Sequence, residues 1–200
     1  MQLFLNATSP FARVARVAAL HHGLADQLTL VWSDPWNQDP ALLAAHPQLR
    51  IPVLVTGEGH AISESLLIAQ YLEHIGSGPA LVPADHSAAV LARASVAYGL
   101  MESAFNVVIA RKYEGAAVAD ASVLGQRRLA ALNRALALLE NAPPALQEHL
   151  TLDVLCTAVT LDYVRFRLPQ LLPAQRYPQL HAWLAQALLQ PHLHATRFEG

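Results

Sequence analysis

The chain has 200 residues, of which 54% are hydrophobic and 14% charged, so it can bury a substantial core and is not a disordered polypeptide. Lys and Arg (13) against Asp and Glu (15) leave a formal net charge of −2. No basic face is available to neutralise nucleic-acid phosphates, so we expect no nucleic-acid partner.

No apolar run reaches the roughly 18 uncharged residues of a membrane span, and the start lacks a secretory signal, which predicts a soluble cytoplasmic protein without a membrane partner.

Strand and helix signals alternate over the first 76 residues. Ser9 stands where a helix N-cap is expected, Pro10 takes the first helical position and Gly23 marks the stop. The predicted elements are, in chain order, a strand at 2–6, a helix from Pro10, a strand at 27–33, a helix at 39–46, a hairpin at 53–63 and a helix from Glu64. A strand–helix–strand unit makes its strands parallel and a hairpin adds an antiparallel edge, so this order predicts a small mixed sheet with helices on its faces.

The pattern changes after a segment rich in Gly, Pro and Ser, residues 77–86, which is typical of a linker. The remaining sequence is rich in Ala and Leu at helical spacing and contains no strand signal. Its predicted helices cover 87–112, 121–140, 152–167 and 179–189. We therefore predict an α/β domain at 1–76, a linker at 77–86 and an all-helical domain at 87–200.

Several common catalytic signatures are absent from the sequence. It has no glycine-rich phosphate loop, no HExxH metal pair and no GxSxG elbow. The only cysteine, Cys156, excludes an intrachain disulfide and lies among apolar residues of a predicted helix, which favours a packing role over a nucleophilic one. His192 and His194 have no carboxylate or thiolate nearby, so we interpret them as surface histidines and expect no metal site.

Two short segments could carry chemistry. At the first, Ser9 would place a hydroxyl beside the positive end of a helix, where an anion such as a thiolate or phosphate is favoured. At the second, Pro52 precedes a strand that it cannot extend by donating a hydrogen bond, and Glu64 and Ser65 open a helix. An acid and a hydroxyl there are also ordinary capping residues, so the pattern leaves both interpretations open.

The motifs together resemble glutathione S-transferases, most closely the bacterial cytosolic members. Thr-Ser-Pro-Phe at 8–11 opens the first helix, Arg-Ile-Pro at 50–52 precedes the hairpin, and Glu-Ser at 64–65 opens the third helix. The helical half, including residues 150–169 and 177–191, resembles the second domain of that family. The resemblance spans nearly the whole chain and implies a thioredoxin-like βαβαββα domain followed by an all-helical domain.

The resemblance implies roles for individual residues. Ser9 would donate a hydrogen bond to the glutathione sulfur and act as the catalytic residue. The backbone of Ile51, presented by a cis Pro52, would pair with the cysteinyl portion. Glu64 and Ser65 would hold the amine and carboxylate of the γ-glutamyl portion.

Two further positions complete the implied site. Arg50 matches a basic position near the glycyl carboxylate, and Phe11 would form a wall of the electrophile pocket. That apolar pocket would lie between the domains, with candidate aromatic residues Phe11, Trp36, Tyr98, Phe105 and Tyr163.

The sequence departs from the family in two places. Where the loop usually reads Asn-Pro-x-Gly, it has His46 for the asparagine and Leu49 for a glycine that permits unusual backbone angles. In the helical domain, Leu150 stands where a capping hydroxyl precedes Asp153, and Thr151 is the predicted substitute cap.

The implied activity is conjugation of glutathione, as co-substrate and without a cofactor, to an apolar electrophile in a detoxifying homodimer. A non-catalytic binding or interaction protein with the same fold is one alternative, and a glutathione-dependent isomerase is another. Thiol-transfer chemistry ranks lower because the position that would carry a cysteine is Ser9.

Overall fold

The computed structural model describes residues 1–198 and divides the chain into two compact units, Met1–Leu81 and a second unit that begins at Val82. The division falls inside the segment 77–86 that the sequence predicts as a linker. Residues 199 and 200, the last two of the predicted helical domain, lie outside the described residues.

The first unit has a four-stranded sheet in the order β2-β1-β3-β4 with helices packed against it. Its elements are β1 Gln2–Leu5, α1 Pro10–His21, β2 Thr29–Trp32, α2 Pro40–Ala45, β3 Val53–Val55, β4 Ala61–Ser63 and α3 Ser65–Ile75, with 3-10 helices at Ala25–Gln27 and Pro35–Asn37. β1 pairs in parallel with β2, while β3 is antiparallel to both β1 and β4. The predicted thioredoxin-like order of elements is confirmed.

The strand register brings three chain segments to one end of the sheet. Phe4 of β1 pairs with Val53 of β3, and Val53 pairs in turn with Ser63 of β4. β1 therefore leaves the sheet at the end where β3 enters and β4 leaves. β1 is held there by burial, because Leu3 and Phe4 are at most 4% exposed.

The segment that follows α3 is bound to the first unit. The Ser77 N–H donates to the His22 carbonyl at 3.1 Å, and the His21 Nε2–H donates to the Pro79 carbonyl at 2.9 Å. A Cβ at Gly78 would lie 2.2 Å from the His21 carbonyl oxygen, so only glycine allows this approach. The first part of the predicted linker is thus attached to the end of α1.

In the described residues of the second unit, helices are the regular secondary structure, and loops connect them. Its α-helices are α4 Ser87–Glu114, α5 Ala116–Ala121, α6 Val123–Asn141, α7 Leu152–Arg167, α8 Pro178–Ala187 and α9 Pro191–His194, with 3-10 helices at Ala84–His86 and Pro169–Leu171. The four predicted helices are present, whereas α5 and α9 were not predicted. Both are short, and Gly115, with a φ of 81°, lets the chain turn from α4 into α5.

Helix α7 forms the centre of the second unit. Its residues 152–164 are all buried, and it packs along α4. Polar groups cross this contact in pairs: the Thr160 hydroxyl donates to the Ala97 carbonyl at 3.1 Å, and the Arg93 Nε–H donates to Asp153 at 2.6 Å. Because Asp153 is 1% exposed, its carboxylate depends on these protein donors in place of water.

The start of α7 differs from the sequence prediction. Thr151 occupies the N-cap position but its hydroxyl makes no capping bond; it donates instead to Asp153 Oδ1 at 2.6 Å. The same oxygen accepts the Val154 N–H at 3.1 Å. The prediction that Thr151 caps the helix with its side chain is therefore wrong, because the buried carboxylate is the stronger acceptor and takes both donors.

Among the helices of residues 1–198, none combines the length and apolarity needed to cross a membrane.

Replacing Asp153 with alanine should destabilise the protein by about 2–3 kcal/mol, because Arg93 and the Thr151 hydroxyl lose their acceptor inside the helix contact. Arg93 is 39% exposed and recovers some hydration, which keeps the loss below that of a fully buried pair. Urea denaturation measures the change. The control is Asp85→Ala, an exposed carboxylate of the same unit, which should change stability by less than about 0.5 kcal/mol. Equal effects of the two substitutions would show that the Asp153 contacts do not stabilise the unit.

His22 should make stability fall on mild acidification. Burial, followed by the charge of His21, lowers the pKa of His22 from 6.5, against smaller opposing contributions from Glu73 and the Gly78 backbone. The unfolded chain therefore binds more protons than the native state as pH falls through 6.5, and the free energy of unfolding decreases there until the native pKa is reached.

The measurement is urea denaturation at several pH values between about 7.5 and 5.5, a window around the ordinary histidine pKa. His22→Gln should flatten the decline, since glutamine does not titrate. His60→Gln, at an exposed hairpin position, is the matched control and should leave the slope unchanged. An unchanged slope in His22→Gln would rule out His22 as its source.

Candidate functional site

Ser9 lies in the turn between β1 and α1, with its backbone extended and its side chain capping α1. The Ser9 Oγ accepts the Ala12 N–H at 3.1 Å. Asn6 shapes the turn, because its side-chain oxygen accepts the N–H groups of Thr8 (3.1 Å) and Ser9 (2.8 Å). Ser9 is buried, with 8% of its surface exposed, and the Ala12 contact holds its hydroxyl in place.

Ile51 and Pro52 lie beside this turn at the entrance of β3. The Ile51–Pro52 peptide bond is cis. Since Phe4 pairs with Val53, Pro52 is the neighbour of Leu5 in the next row of the sheet. Ile51 is half-buried and precedes the ladder, so its backbone lies at the edge that the Ser9 turn also occupies.

Glu64 and Ser65 follow β4 at the same end of the sheet. Glu64 is the N-cap of α3 in position, with a φ of 69°, and Ser65 is the first helical residue. The Glu64 side chain makes no capping hydrogen bond, so its interpretation as an ordinary acidic cap is wrong. Ser65 is fully buried beneath it, whereas Glu64 is exposed.

Arg50 is paired with Glu64. The Arg50 Nη1–H donates to Glu64 Oε1 at 3.2 Å, and the two side chains are 64% and 55% exposed. An exposed ion pair of this kind contributes only about 0–1 kcal/mol, so either partner can be shared with a ligand at little cost. This contact explains why Glu64 does not turn back to cap α3.

The loop before Arg50 retains its turn despite both departures from the family pattern. The His46 Nδ1 accepts the Gln48 N–H at 3.4 Å, as a side-chain oxygen of asparagine could, and the Leu49 N–H donates to the His46 carbonyl at 3.1 Å. Leu49 takes a φ of 51° although it is not glycine. Its side chain packs against the cluster of Phe4, Leu42 and Val53, and this burial offsets the unfavourable backbone angle.

The aromatic candidates are distributed over both units and are described within each. Phe11 is half-buried on α1, and Trp36 is 50% exposed in the 3-10 helix that follows β2. Tyr98 and Phe105 are half-buried on α4. Tyr163 is only 2% exposed and packs edge-on against Phe198, so it belongs to the interior of the second unit. Burial raises the pKa of its phenol to about 12.

Cys156 lies in the interior of α7. It is 0% exposed, and burial, with a smaller contribution from Asp153, raises the pKa of its thiol to about 12. A thiol in this setting stays protonated and unreactive at neutral pH. Within residues 1–198, no group of three or more His, Cys, Asp or Glu side chains is arranged to hold a metal ion.

The arrangement combines a hydroxyl, a backbone edge and an ion pair at one end of the sheet. The Ser9 oxygen accepts one hydrogen bond. Its hydroxyl proton can be donated to an anion bound at the N-terminus of α1. The Ile51 backbone lies just ahead of the cis Pro52 and outside the strand ladder, where a peptide could pair with it, and Glu64 and Arg50 offer a charge of each sign. Such a surface suits a short peptide that carries an anionic group and a free α-amino acid end.

Sequence reasoning missed Asn6. Its role is not chemical, since its side chain binds backbone N–H groups and thereby sets the turn that presents Ser9. The signal is present in the sequence: an asparagine two or three residues before the N–H groups that donate to its side-chain oxygen is typical of an Asx turn leading to a helix.

Comparisons with known proteins find relatives of this chain in both sequence and fold. Residues 8–75 match the glutathione S-transferase N-terminal domain. Over 172 residues, 84% of this chain and 83% of the relative, the sequence is 28% identical to the uncharacterized GST-like protein YibF of Escherichia coli K12. A second relative, the probable glutathione S-transferase BZ2 of Zea mays, is 37% identical over 93 residues, 42% of this chain and 39% of the relative.

Among solved structures, the fold matches a glutathione transferase family member from Pseudomonas fluorescens Pf-5 with bound glutathione, at a TM-score of 0.89 and 29% identity over 100% of this chain and 99% of that one. A glutathione S-transferase from Methylobacillus flagellatus with bound glutathione matches at a TM-score of 0.84 and 25% identity, over 98% of both chains. Residues 8–75 therefore form a domain of the glutathione S-transferase N-terminal type, and the fold of the described chain is similar to that of glutathione transferases.

Proposed function

We propose that the protein is a glutathione transferase that binds glutathione across the end of the sheet and activates its thiol with Ser9. The observation that carries the proposal is the geometry of Ser9. Its oxygen accepts the Ala12 N–H at 3.1 Å, which orients the hydroxyl and leaves its proton available for a sulfur anion at the start of α1.

The other residues of this end of the sheet would hold the tripeptide. The cysteinyl portion would pair with the Ile51 backbone ahead of Pro52, as an added strand pairs with a sheet edge. Glu64 would accept the α-ammonium group of the γ-glutamyl portion, and Ser65 would act from the N-terminus of α3. Arg50, in contact with Glu64, would provide the cation for a ligand carboxylate.

The energetics are adequate for thiol activation. A cysteine-type thiol has a pKa near 8.5, so lowering it by about two units requires roughly 2.7 kcal/mol in favour of the thiolate. A hydrogen bond to a charged group contributes about 1.5–3 kcal/mol, and the helix N-terminus adds about 0.3–1 kcal/mol. Ser9 and the start of α1 can therefore supply the required stabilisation together.

The thiolate would attack an apolar electrophile held beside Phe11, and proximity would contribute much of the rate. Glutathione is maintained in its reduced form in the cytosol, so we propose a cytoplasmic, detoxifying role. No cofactor enters this chemistry, since glutathione is itself the nucleophile.

Ser9→Ala should abolish thiolate formation on the protein while leaving most glutathione affinity intact. The measurement is ultraviolet absorbance of the thiolate during a glutathione titration at neutral pH. The wild type should show the signal, and the variant should show a pKa of bound glutathione near that of the free thiol. Loss of the helix cap will also cost about 1 kcal/mol of stability, to be measured in parallel by urea denaturation.

Thr8→Val is the matched control, because it removes the neighbouring hydroxyl without touching the α1 cap. It should retain the thiolate signal. Wild-type protein that binds glutathione without forming thiolate would contradict the catalytic role of Ser9 and favour a non-catalytic binding protein. Wild-type protein that fails to bind glutathione would contradict the proposed function itself.

We also propose that the protein is a homodimer. Each unit exposes leucines on a helix: Leu66 (36%) and Leu67 (55%) on α3 of the first unit, and Leu91 (50%) on α4 of the second. Exposed leucines favour a protein contact, since their burial is worth roughly 25 cal/mol per Å² of apolar surface.

Sedimentation velocity should give a dimer for wild-type protein, and Leu67→Glu should shift the population toward monomer by burying a charge at the contact. Leu189→Glu, at a leucine that is 71% exposed on the second unit, should remain dimeric. A monomer at all concentrations of wild-type protein would contradict the proposal.

A further inference from the structure

The ion pair between Arg50 and Glu64 fixes the part of the site in which the Arg50 guanidinium can contact a ligand. Its Nη1 lies 3.2 Å from Glu64 Oε1, although the two residues are 14 positions apart and enter the site from different segments. Family resemblance implies that these residues serve opposite ends of glutathione, with Glu64 at the γ-glutamyl amine and Arg50 at the glycyl carboxylate. In this protein the two side chains meet.

The length of the tripeptide decides between the γ-glutamyl end and the glycyl end as the place where Arg50 binds. An extended chain spans about 3.3–3.6 Å per residue, so the two ends of a bound tripeptide lie roughly 10 Å apart. A guanidinium in contact with the Glu64 carboxylate is therefore at the γ-glutamyl end whenever Glu64 binds the ligand amine. It is one residue length or more from the glycyl carboxylate.

Charge balance gives Arg50 a ligand partner at that end. The γ-glutamyl portion carries an α-ammonium and an α-carboxylate on one carbon, and Glu64 can neutralise only the ammonium. Ser65 can donate hydrogen bonds to that carboxylate but carries no charge, whereas the Arg50 side chain is 64% exposed beside Glu64 and can neutralise it. The planar guanidinium can keep its contact with Glu64 and offer its remaining N–H groups to the carboxylate.

We propose that Arg50 is a specificity-determining residue for the α-carboxylate of the γ-glutamyl group, so that Glu64 and Arg50 together recognise the zwitterionic end of the ligand. The inference rests on the proposed function, because it concerns the same glutathione site. It predicts that the protein selects γ-glutamyl thiols. The contribution of Arg50 to ligand affinity should not depend on the glycyl residue of the ligand.

The experiment compares three ligands by isothermal titration calorimetry. Glutathione has both carboxylates, γ-glutamylcysteine lacks the glycyl residue, and 4-aminobutanoyl-cysteinylglycine lacks only the γ-glutamyl α-carboxylate. Each is titrated into the wild type, Arg50→Met, Arg50→Lys and the control Arg134→Met, which alters an exposed arginine of α6.

Arg50→Met should weaken glutathione and γ-glutamylcysteine equally, by about tenfold or more, as expected for loss of one charge-assisted contact. It should leave the affinity of 4-aminobutanoyl-cysteinylglycine nearly unchanged, because that ligand has no group for Arg50 to bind. Arg50→Lys should recover part of the loss, and Arg134→Met should bind all three ligands as the wild type does.

Three other outcomes would overturn the inference, and each has a distinct meaning. A loss confined to ligands with a glycyl residue would place Arg50 at the glycyl end, with the proposed function intact. An equal loss for all three ligands would show that Arg50 acts only by positioning Glu64. Absence of binding of any ligand to wild-type protein would overturn the proposed function together with the inference.

Discussion

The pairing of β1 with β3 is the constraint on which the candidate site depends. Phe4 opposes Val53, and Val53 opposes Ser63, so the exits of β1 and β4 and the entrance of β3 share one end of the sheet. Ser9, Pro52 and Glu64 each lie within a few residues of that row. Leu3, Phe4 and Leu5 are each at most 4% exposed, so β1 is packed on both faces and its position at the centre of the sheet is held by burial.

Each irregular backbone position near the site has a side-chain contact of its own. Leu49 and Glu64 both have positive φ values, which side chains with a Cβ rarely adopt. The Leu49 side chain gains contacts with the cluster around Leu42, and the Glu64 side chain is directed toward Arg50. The unusual angles occur at the two ends of the hairpin segment, where the chain must present polar groups at the sheet edge.

The second unit follows a different principle, in which two polar side chains of the buried helix α7, Asp153 and Thr160, bond to α4. Asp153 binds Arg93 and Thr151, and Thr160 binds the Ala97 carbonyl. Each contact pairs a buried polar atom with a partner, which avoids the cost of leaving it unpaired in an apolar interior. Cys156, by contrast, packs as an apolar group, and its raised thiol pKa follows from that burial.

The sequence by itself was sufficient for the order of strands and helices and for the residues at their starts. These signals are local: hydrophobic periodicity, Pro10, Gly23 and the N-cap at Ser9. Local signals can be interpreted without knowledge of the rest of the chain. The six residues of α5 were missed because one and a half turns are too short to establish a period. Asn6 was missed because its hydrogen bonds are to backbone groups and its pattern is common in turns.

Tertiary structure alone decided which distant side chains meet. Glu64 faces Arg50, 14 positions away, rather than its own helix, and Leu49 adopts a glycine-like angle while its side chain packs against Phe4 and Leu42. In both cases the local preference is worth about 1 kcal/mol, and a contact from elsewhere in the chain competes on equal terms. Sequence patterns identify the candidates for a site, whereas the contacts between them depend on a register and a packing that no single segment encodes.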